Sequence, residues 1–208
     1  MVWSCLVSIL PGMAQTEKLT DYVNPFVGTD GYGNVYPGAQ IPFGGIQISP
    51  DTDSRFYDAA SGYKYNHLTL MGFSLTHLSG TGIPDLGDFL FIPGTGEMKL
   101  EPGTHEDPDQ GYRSRYSHDK EWASPNYYAV ELADYGVKAE MTSGVRSGMF
   151  RFTYPESDNA FIMIDMNHTL WQSCEWSNLR MINDSTITGY KLVKGWGPER
   201  HVLSDRSM

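Results

Sequence analysis

The densest cluster of polar side chains in the 208-residue sequence lies between His77 and Asp88. Its polar and flexible members are His77, Ser79, Gly80, Thr81, Gly82, Asp85, Gly87 and Asp88. Carboxylates and backbone amides are the groups that hold sugar hydroxyls, because each hydroxyl both donates and accepts a hydrogen bond. The cluster therefore indicates carbohydrate binding. The alternative is that Asp85 and Asp88 cap turns and His77 is a hydrogen-bonded interior group.

Other chemistries fit these residues poorly. Gly80–Gly82 begins like a dinucleotide fingerprint, but Pro84 and Gly87 do not open a helix, so no helix N-terminus is available for a pyrophosphate. Asp51–Arg55 begins like a calcium loop, but Phe56 stands where the sharp-turn glycine is needed. The six histidines include no pair at metal-ligand spacing, and no nucleophile elbow supports a serine triad.

Aromatic side chains offer a second kind of sugar contact, because a ring face stacks on the C–H face of a pyranose. Trp196 is flanked by Gly195, Gly197 and Pro198, so it is the ring that we most expect to be exposed. Most of the other rings are expected in the core. They cluster at Phe56, Tyr57, Tyr63, Tyr65, Trp122, Tyr127, Tyr128, Trp171 and Trp176.

Composition and periodicity predict the scaffold that must position these groups. Twenty-two Gly and 12 Pro argue against long helices, and a net charge of −10 disfavours nucleic acid as a partner. Apolar residues alternate with polar ones along short β-rich runs, which predicts one all-β antiparallel sandwich. The predicted strands are Gly45–Ser49, Gly72–Leu78, Phe89–Ile92, Asn126–Leu132, Val137–Thr142, Gly148–Tyr154, Phe161–Met166 and Thr186–Val193.

The first fourteen residues are typical of the end of a secretory signal. They carry no charged side chain, contain the apolar run Leu6–Leu10, and place small residues at Gly12 and Ala14 before a polar start at Gln15. A basic first region is missing, so the alternative is an apolar N-terminus that is not cleaved. A signal predicts a secreted or periplasmic protein, and no other stretch has the length of a membrane span.

Several motifs together resemble the opening of glycoside hydrolase family 92. They are Tyr22–Thr29, Tyr36–Ala39, Pro42–Gly44, Ser49–Thr52, Ser61–Tyr63, Gly72–Ser74 and His77–Gly82 running into Asp85–Asp88. The resemblance extends from about Asp21 to Val202. We therefore expect a signal over residues 1–14, a family 92 sandwich over residues 15–202, and a divergent tail over residues 203–208.

The resemblance implies a fold and an activity. The family consists of calcium-dependent, inverting, exo-acting α-mannosidases with an N-terminal β-supersandwich, of the galactose-mutarotase-like kind, followed by an (α/α)₆ barrel. By resemblance this chain is the sandwich alone. The catalytic acid, the catalytic base and the calcium ligands belong to the barrel, so the resemblance assigns no catalytic residue and no metal ligand here. The implied partners are the barrel domain and mannose-containing glycans.

The resemblance also implies that the sandwich supplies part of the sugar pocket, from Asp53–Gly62, His77–Asp88 and Gly189–Trp196. The candidate substrate-binding residues are Tyr57, Asp58, His77, Ser79, Gly80, Thr81, Asp85, Asp88 and Trp196. Many family members carry a tryptophan near Tyr57. After Val202 the family pattern continues while this sequence stops, so we expect a missing strand and an inactive product. The alternatives are a carbohydrate-binding module that acts alone and a non-functional remnant.

Overall fold

The computed structural model describes residues 17–54, 59–194 and 200–204, the last five as backbone only. The predicted signal, Tyr57, Asp58 and Trp196 lie outside the described residues. Over the described residues the chain forms antiparallel strands and short 3₁₀ turns, which confirms the all-β prediction.

The strands of the described residues are numbered in chain order. They are β1 (Ser49–Asp51), β2 (Thr69–Leu70), β3 (Gly72–Ser74), β4 (Leu90–Thr95), β5 (Ser114–Arg115), β6 (Glu121–Ser124), β7 (Tyr127–Leu132), β8 (Val137–Ser143), β9 (Gly148–Thr153), β10 (Ala160–Asp165), β11 (Ser173–Asn183), β12 (Thr186–Lys194) and β13 (Arg200–Ser204). The 3₁₀ turns include Leu19–Tyr22, Pro108–Gln110 and His118–Lys120.

The strands form two four-stranded sheets and two smaller ones. One large sheet has the order β1-β3-β4-β10 and the other β6-β7-β8-β9. The third sheet, β11-β12-β13, contains the last strands of the described chain, and β2 pairs with β5. Every pairing is antiparallel.

The main core lies where the two large sheets face each other. Phe73 of β3 is fully buried, and its ring lies 6.4 Å from that of Phe150 on β9. Val130 of β7 and Ala139 of β8, which pair directly, pack into the same cluster. Burial of these apolar side chains is the main driving force that holds the two sheets together.

Sequence periodicity located most strands but missed the longest. The eleven residues of β11 alternate poorly, because its register shifts at Cys174/Trp176 and again at Met181/Asn183. The prediction of a strand over Gly45–Ser49 was wrong for most of its length. Within it only Ser49 belongs to β1, because the backbone N–H groups of Gly45 and Gln47 donate to the carbonyls of Val145 and Leu75, which lie in two separate loops. Residues 203 and 204 of the predicted tail are the end of β13.

Candidate functional site

The buried carboxylate of Asp51 contacts two of the segments that the sequence analysis selected, Asp53–Gly62 and His77–Asp88. Asp51 at the end of β1 is fully buried. Its Oδ1 lies 2.8 Å from Nε2 of His77, and its Oδ2 lies 2.7 Å from Nε2 of His168. Gly62 packs against the same carboxylate, with φ +84° and only 2.1 Å between Asp51 Oδ1 and the position of a Cβ. Only glycine fits there without displacing the carboxylate.

The surroundings of Asp51 lower the pKa of its carboxyl group. His77 Nδ1 lies 2.7 Å from the carbonyl oxygen of Gln47, which can only accept, so Nδ1 donates there and Nε2 faces Asp51. Burial by itself raises the pKa of Asp51, but the charge of His77 and the hydrogen bonds from both histidines outweigh it. The pKa of Asp51 therefore lies below its ordinary value.

A polar cavity of about 520 Å³ opens beside this cluster. It is lined by Ser54, Met71, Leu100, Glu101, Pro102, Tyr112, Asp165, Asn167, His168, Thr169, Trp171 and Gln172. Five of these residues come from the connection between β10 and β11, residues 166–172, which we call the cavity loop. His168 thus contributes to the wall of the cavity and reaches Asp51 behind it.

The start of the cavity loop is fixed by the last residue of β10. Asp165 Oδ1 accepts hydrogen bonds from the backbone N–H groups of Asn167 at 2.8 Å and His168 at 3.2 Å. Asp165 Oδ2 accepts the hydroxyl of Tyr112 at 2.8 Å. Burial, and to a smaller extent the negative charge of Asp165, raises the pKa of Tyr112, so this hydroxyl stays a donor.

The end of the cavity loop holds Trp171 in an unusual backbone conformation. Its φ is +69°, in the left-handed region that non-glycine residues rarely occupy, and its side chain is 53% exposed. Leu170 N–H donates to the carbonyl of Leu86 at 3.0 Å, and the Gln172 side chain donates to Asp85. Backbone strain persists only where the surroundings enforce it, and it concentrates at functional sites.

The structure places the predicted site residues in two groups. His77, Asp85 and Asp88 lie behind the cavity loop, and each has a protein partner. Ser79, Gly80 and Thr81 lie together on an exposed turn, where Gly80 N–H donates to the carbonyl of Asn34 and Thr81 bonds to Ile83.

Sequence reasoning identified few of the residues that line the cavity, since within the described residues only Asp53–Gly62 of the predicted pocket segments contributes to the lining, through Ser54. Glu101, Tyr112 and Asp165 lie in segments that carry no motif, and Trp171 was one of many aromatic residues. The one local signal is an Asp two residues before Asn167, since Asp side chains accept from the backbone N–H two residues on.

The described part of the chain was also compared with the requirements of a metal site and of a membrane-spanning helix. Within residues 17–54, 59–194 and 200–204, no group of three or more His, Cys, Asp or Glu side chains could hold a metal ion. The buried carboxylate of Asp53, in the calcium-like sequence, lies 3.2 Å from Nε2 of His105. No helix in that part of the chain is long and apolar enough to span a membrane.

Comparisons with known proteins point to one family. The model of the glycosyl hydrolase family 92 N-terminal domain matches residues 22–203. An uncharacterized secreted glycosidase of Arthroderma benhamiae is 30% identical over 139 residues, which are 66% of this chain and 17% of that protein.

Solved structures give the same result. The GH92 family glycosyl hydrolase ccman5 is 28% identical with a TM-score of 0.70, over 86% of this chain and 24% of that one. A family GH92 inverting mannosidase of Bacteroides thetaiotaomicron is 24% identical with a TM-score of 0.65, over 84% of this chain and 23% of that one, and it shows the fold. The chain therefore spans a quarter or less of the length of each of these relatives.

Proposed function

Because the chain belongs to the glycosyl hydrolase family 92 N-terminal domain family, we propose that it is the N-terminal β-sandwich of a secreted exo-α-mannosidase. In this proposal it supplies part of the pocket for a terminal α-mannosyl residue of an N-glycan or mannan. The observation that carries the proposal is the partly exposed ring of Trp171, whose backbone has a positive φ, in the wall of a polar cavity of about 520 Å³.

The lining of the cavity has the chemistry that a pyranose requires. The ring of Trp171 offers a flat apolar face for the sugar C–H groups. The carboxylate of Glu101 and the amide of Asn167, both on exposed residues, offer acceptors and a donor for hydroxyls. Hydrogen bonds hold the cavity loop at both ends, so little conformational entropy remains to be lost when a sugar binds.

The carboxylates of Asp51, behind the cavity, and Asp165, in its wall, support a binding role rather than a catalytic one. Inverting hydrolysis needs an acid and a base about 6.5 to 9.5 Å apart across the sugar. Asp51 bonds to two histidines, and Asp165 bonds to Tyr112 and to two backbone N–H groups. We propose that these carboxylates hold the pocket in shape and that proton transfer belongs to the part of the relatives beyond the length spanned by this chain.

We assign calcium to that same remaining part. The fit of this chain to calcium is poor, because its buried carboxylates Asp51 and Asp53 face imidazole nitrogens rather than an open set of oxygen ligands. The secreted glycosidase of Arthroderma benhamiae supports the proposal that this protein is secreted as well.

The binding role is tested with the 208-residue chain and methyl α-mannoside in ligand-observed NMR. We expect millimolar affinity, lowered roughly 2- to 12-fold by Trp171→Ala, which is the contribution of one stacked ring. Trp122→Ala is the matched control, because Trp122 is 44% exposed on β6. If Trp171→Ala and Trp122→Ala bind methyl α-mannoside equally well, the assignment of the cavity as the sugar site is wrong.

Inactivity of the chain alone is tested with an aryl α-mannoside and calcium. We expect no release of the aryl group. Calcium-dependent turnover by the purified chain would refute the proposal that proton transfer and calcium belong to a part of the enzyme outside this chain. Micromolar affinity for mannobiose without turnover would instead favour a carbohydrate-binding module that acts alone.

A further inference from the structure

A buried lysine connects the third sheet to the cavity loop. Lys191 on β12 is 1% exposed, and its inward direction follows from the alternating burial of Gly189, Lys191 and Val193. Its Nζ donates to the carbonyl oxygen of His168 at 2.5 Å and lies 3.2 Å from Oδ1 of Asp88. Burying an unpaired ammonium group is costly, so these two oxygen partners are needed to keep Lys191 in the interior.

Lys191 and Asp51 hold His168 from two different elements. The imidazole of His168 bonds to Asp51 on β1, and the carbonyl of the same residue accepts from Lys191 on β12. His168 is therefore held through its side chain by one sheet and through its carbonyl oxygen by another. Trp171 follows only three residues later, at the strained position of the same loop.

We propose that Lys191 is a positioning residue, which sets the cavity loop so that the Trp171 ring faces a bound sugar. The inference rests on the proposed sugar-binding function. The competing role for Lys191 is to neutralise Asp88, whose Oδ2 also accepts the hydroxyl of Thr76 at 3.0 Å. The two roles differ in their prediction for a protein from which both charges have been removed.

The test uses Lys191→Met and the double variant Asp88→Asn/Lys191→Met. Lys191→Met removes the ammonium group beside the buried carboxylate of Asp88, so we expect a lower melting temperature. The double variant also removes the carboxylate charge, so we expect part of the melting temperature to be recovered. The donor to the His168 carbonyl stays absent in both. Lys194→Met, an exposed lysine on the same strand, is the matched control.

The readout is ¹⁹F NMR of the chain labelled with 5-fluorotryptophan. The chain has five tryptophans, and the Trp171 resonance is assigned with Trp171→Phe. We expect this resonance to shift or broaden without ligand in both Lys191 variants and to stay in place in Lys194→Met. We also expect affinity for methyl α-mannoside to fall at least 2-fold in the double variant.

The outcomes separate the inference from the proposed function. If the double variant keeps the wild-type Trp171 resonance and affinity, Lys191 only neutralises Asp88 and the inference is wrong. Another outcome is that the Trp171 resonance moves in the two Lys191 variants while methyl α-mannoside leaves it unchanged in the wild type. In that case the proposed function is wrong, but the inference that Lys191 positions Trp171 stands. If Lys191→Met does not fold, the double variant alone decides.

Discussion

Replacing Asp51 by Asn is the sharpest test of how this domain is held together. The substitution keeps the size of the side chain and removes one negative charge at a fully buried position. One of the two imidazoles, His77 or His168, then faces an amide N–H₂ instead of a carboxylate oxygen. The other loses a charge-assisted hydrogen bond, so both contacts weaken.

The expected loss is large relative to the stability of the domain. Removing one partner of a buried pair costs about 3 to 5 kcal/mol, and single domains are stable by about 5 to 15 kcal/mol. For a chain of this length each kcal/mol corresponds to roughly 2 to 4 °C in Tm. We therefore expect Asp51→Asn to lower Tm by about 6 to 20 °C in scanning calorimetry.

The pH dependence has a definite sign. The pKa of folded Asp51 lies below its ordinary value of 3.8, so near that pH the unfolded chain binds more protons than the folded one. Stability from Asp51 is complete above that pH and is lost as the pH falls through the folded pKa. The difference in Tm between wild type and Asp51→Asn should shrink as the buffer is made more acidic than about pH 4.

An exposed aspartate supplies the control. Asp30 accepts the N–H of Gly31 with Oδ1, a bond that Asn keeps, so Asp30→Asn should leave Tm unchanged at neutral pH. A drop of less than about 2 °C in Asp51→Asn, equal at about pH 7 and pH 3, would refute the ionised cluster.

Two further substitutions test local features of the same fold. Gly62→Ala places a Cβ 2.1 Å from Asp51 Oδ1 at a φ of +84°, so chemical denaturation should show a loss of at least about 1 to 3 kcal/mol; an unchanged midpoint would contradict the contact. The hydrogen bond from Arg151 lowers the pKa of Glu140 to about 2, so this pair stabilises above pH 4.5 and its contribution is lost as the pH falls towards 2. Because Arg151 is largely exposed, Glu140→Gln should cost only about 0.2 to 1 kcal/mol, and about 1 M NaCl should reduce the difference; a loss that salt does not change would indicate another cause.

How much of the fold could be predicted depended on how local its determinants are. The hairpin of β7 and β8 was located within one residue, because Val130 and Ala139 belong to a clear two-residue alternation joined by a short turn. The strand β11 was not found, because two register shifts and exposure on both faces remove that alternation.

The site shows the same division. The polar cluster that begins at His77 was selected for its composition; His77 and Asp88 lie behind the cavity loop with Asp51 and Lys191 as partners, and their role in sugar binding stays a prediction. The contact between Asp51 and His168 joins residues 117 positions apart, and no sequence spacing predicts such a pair. The residues on either side of Trp171, Leu170 and Gln172, bond to the distant Leu86 and Asp85, so its backbone conformation too became visible only in three dimensions.

The long strand β11 also has a practical consequence for work with this chain. Trp176 and Leu179 point to opposite faces of the ribbon, and both are about half exposed. An extended apolar edge of this kind recruits other polypeptides as concentration rises. We therefore expect a lysine in place of Trp176, which lies on the face opposite the buried Lys191, to lower self-association through this edge strand.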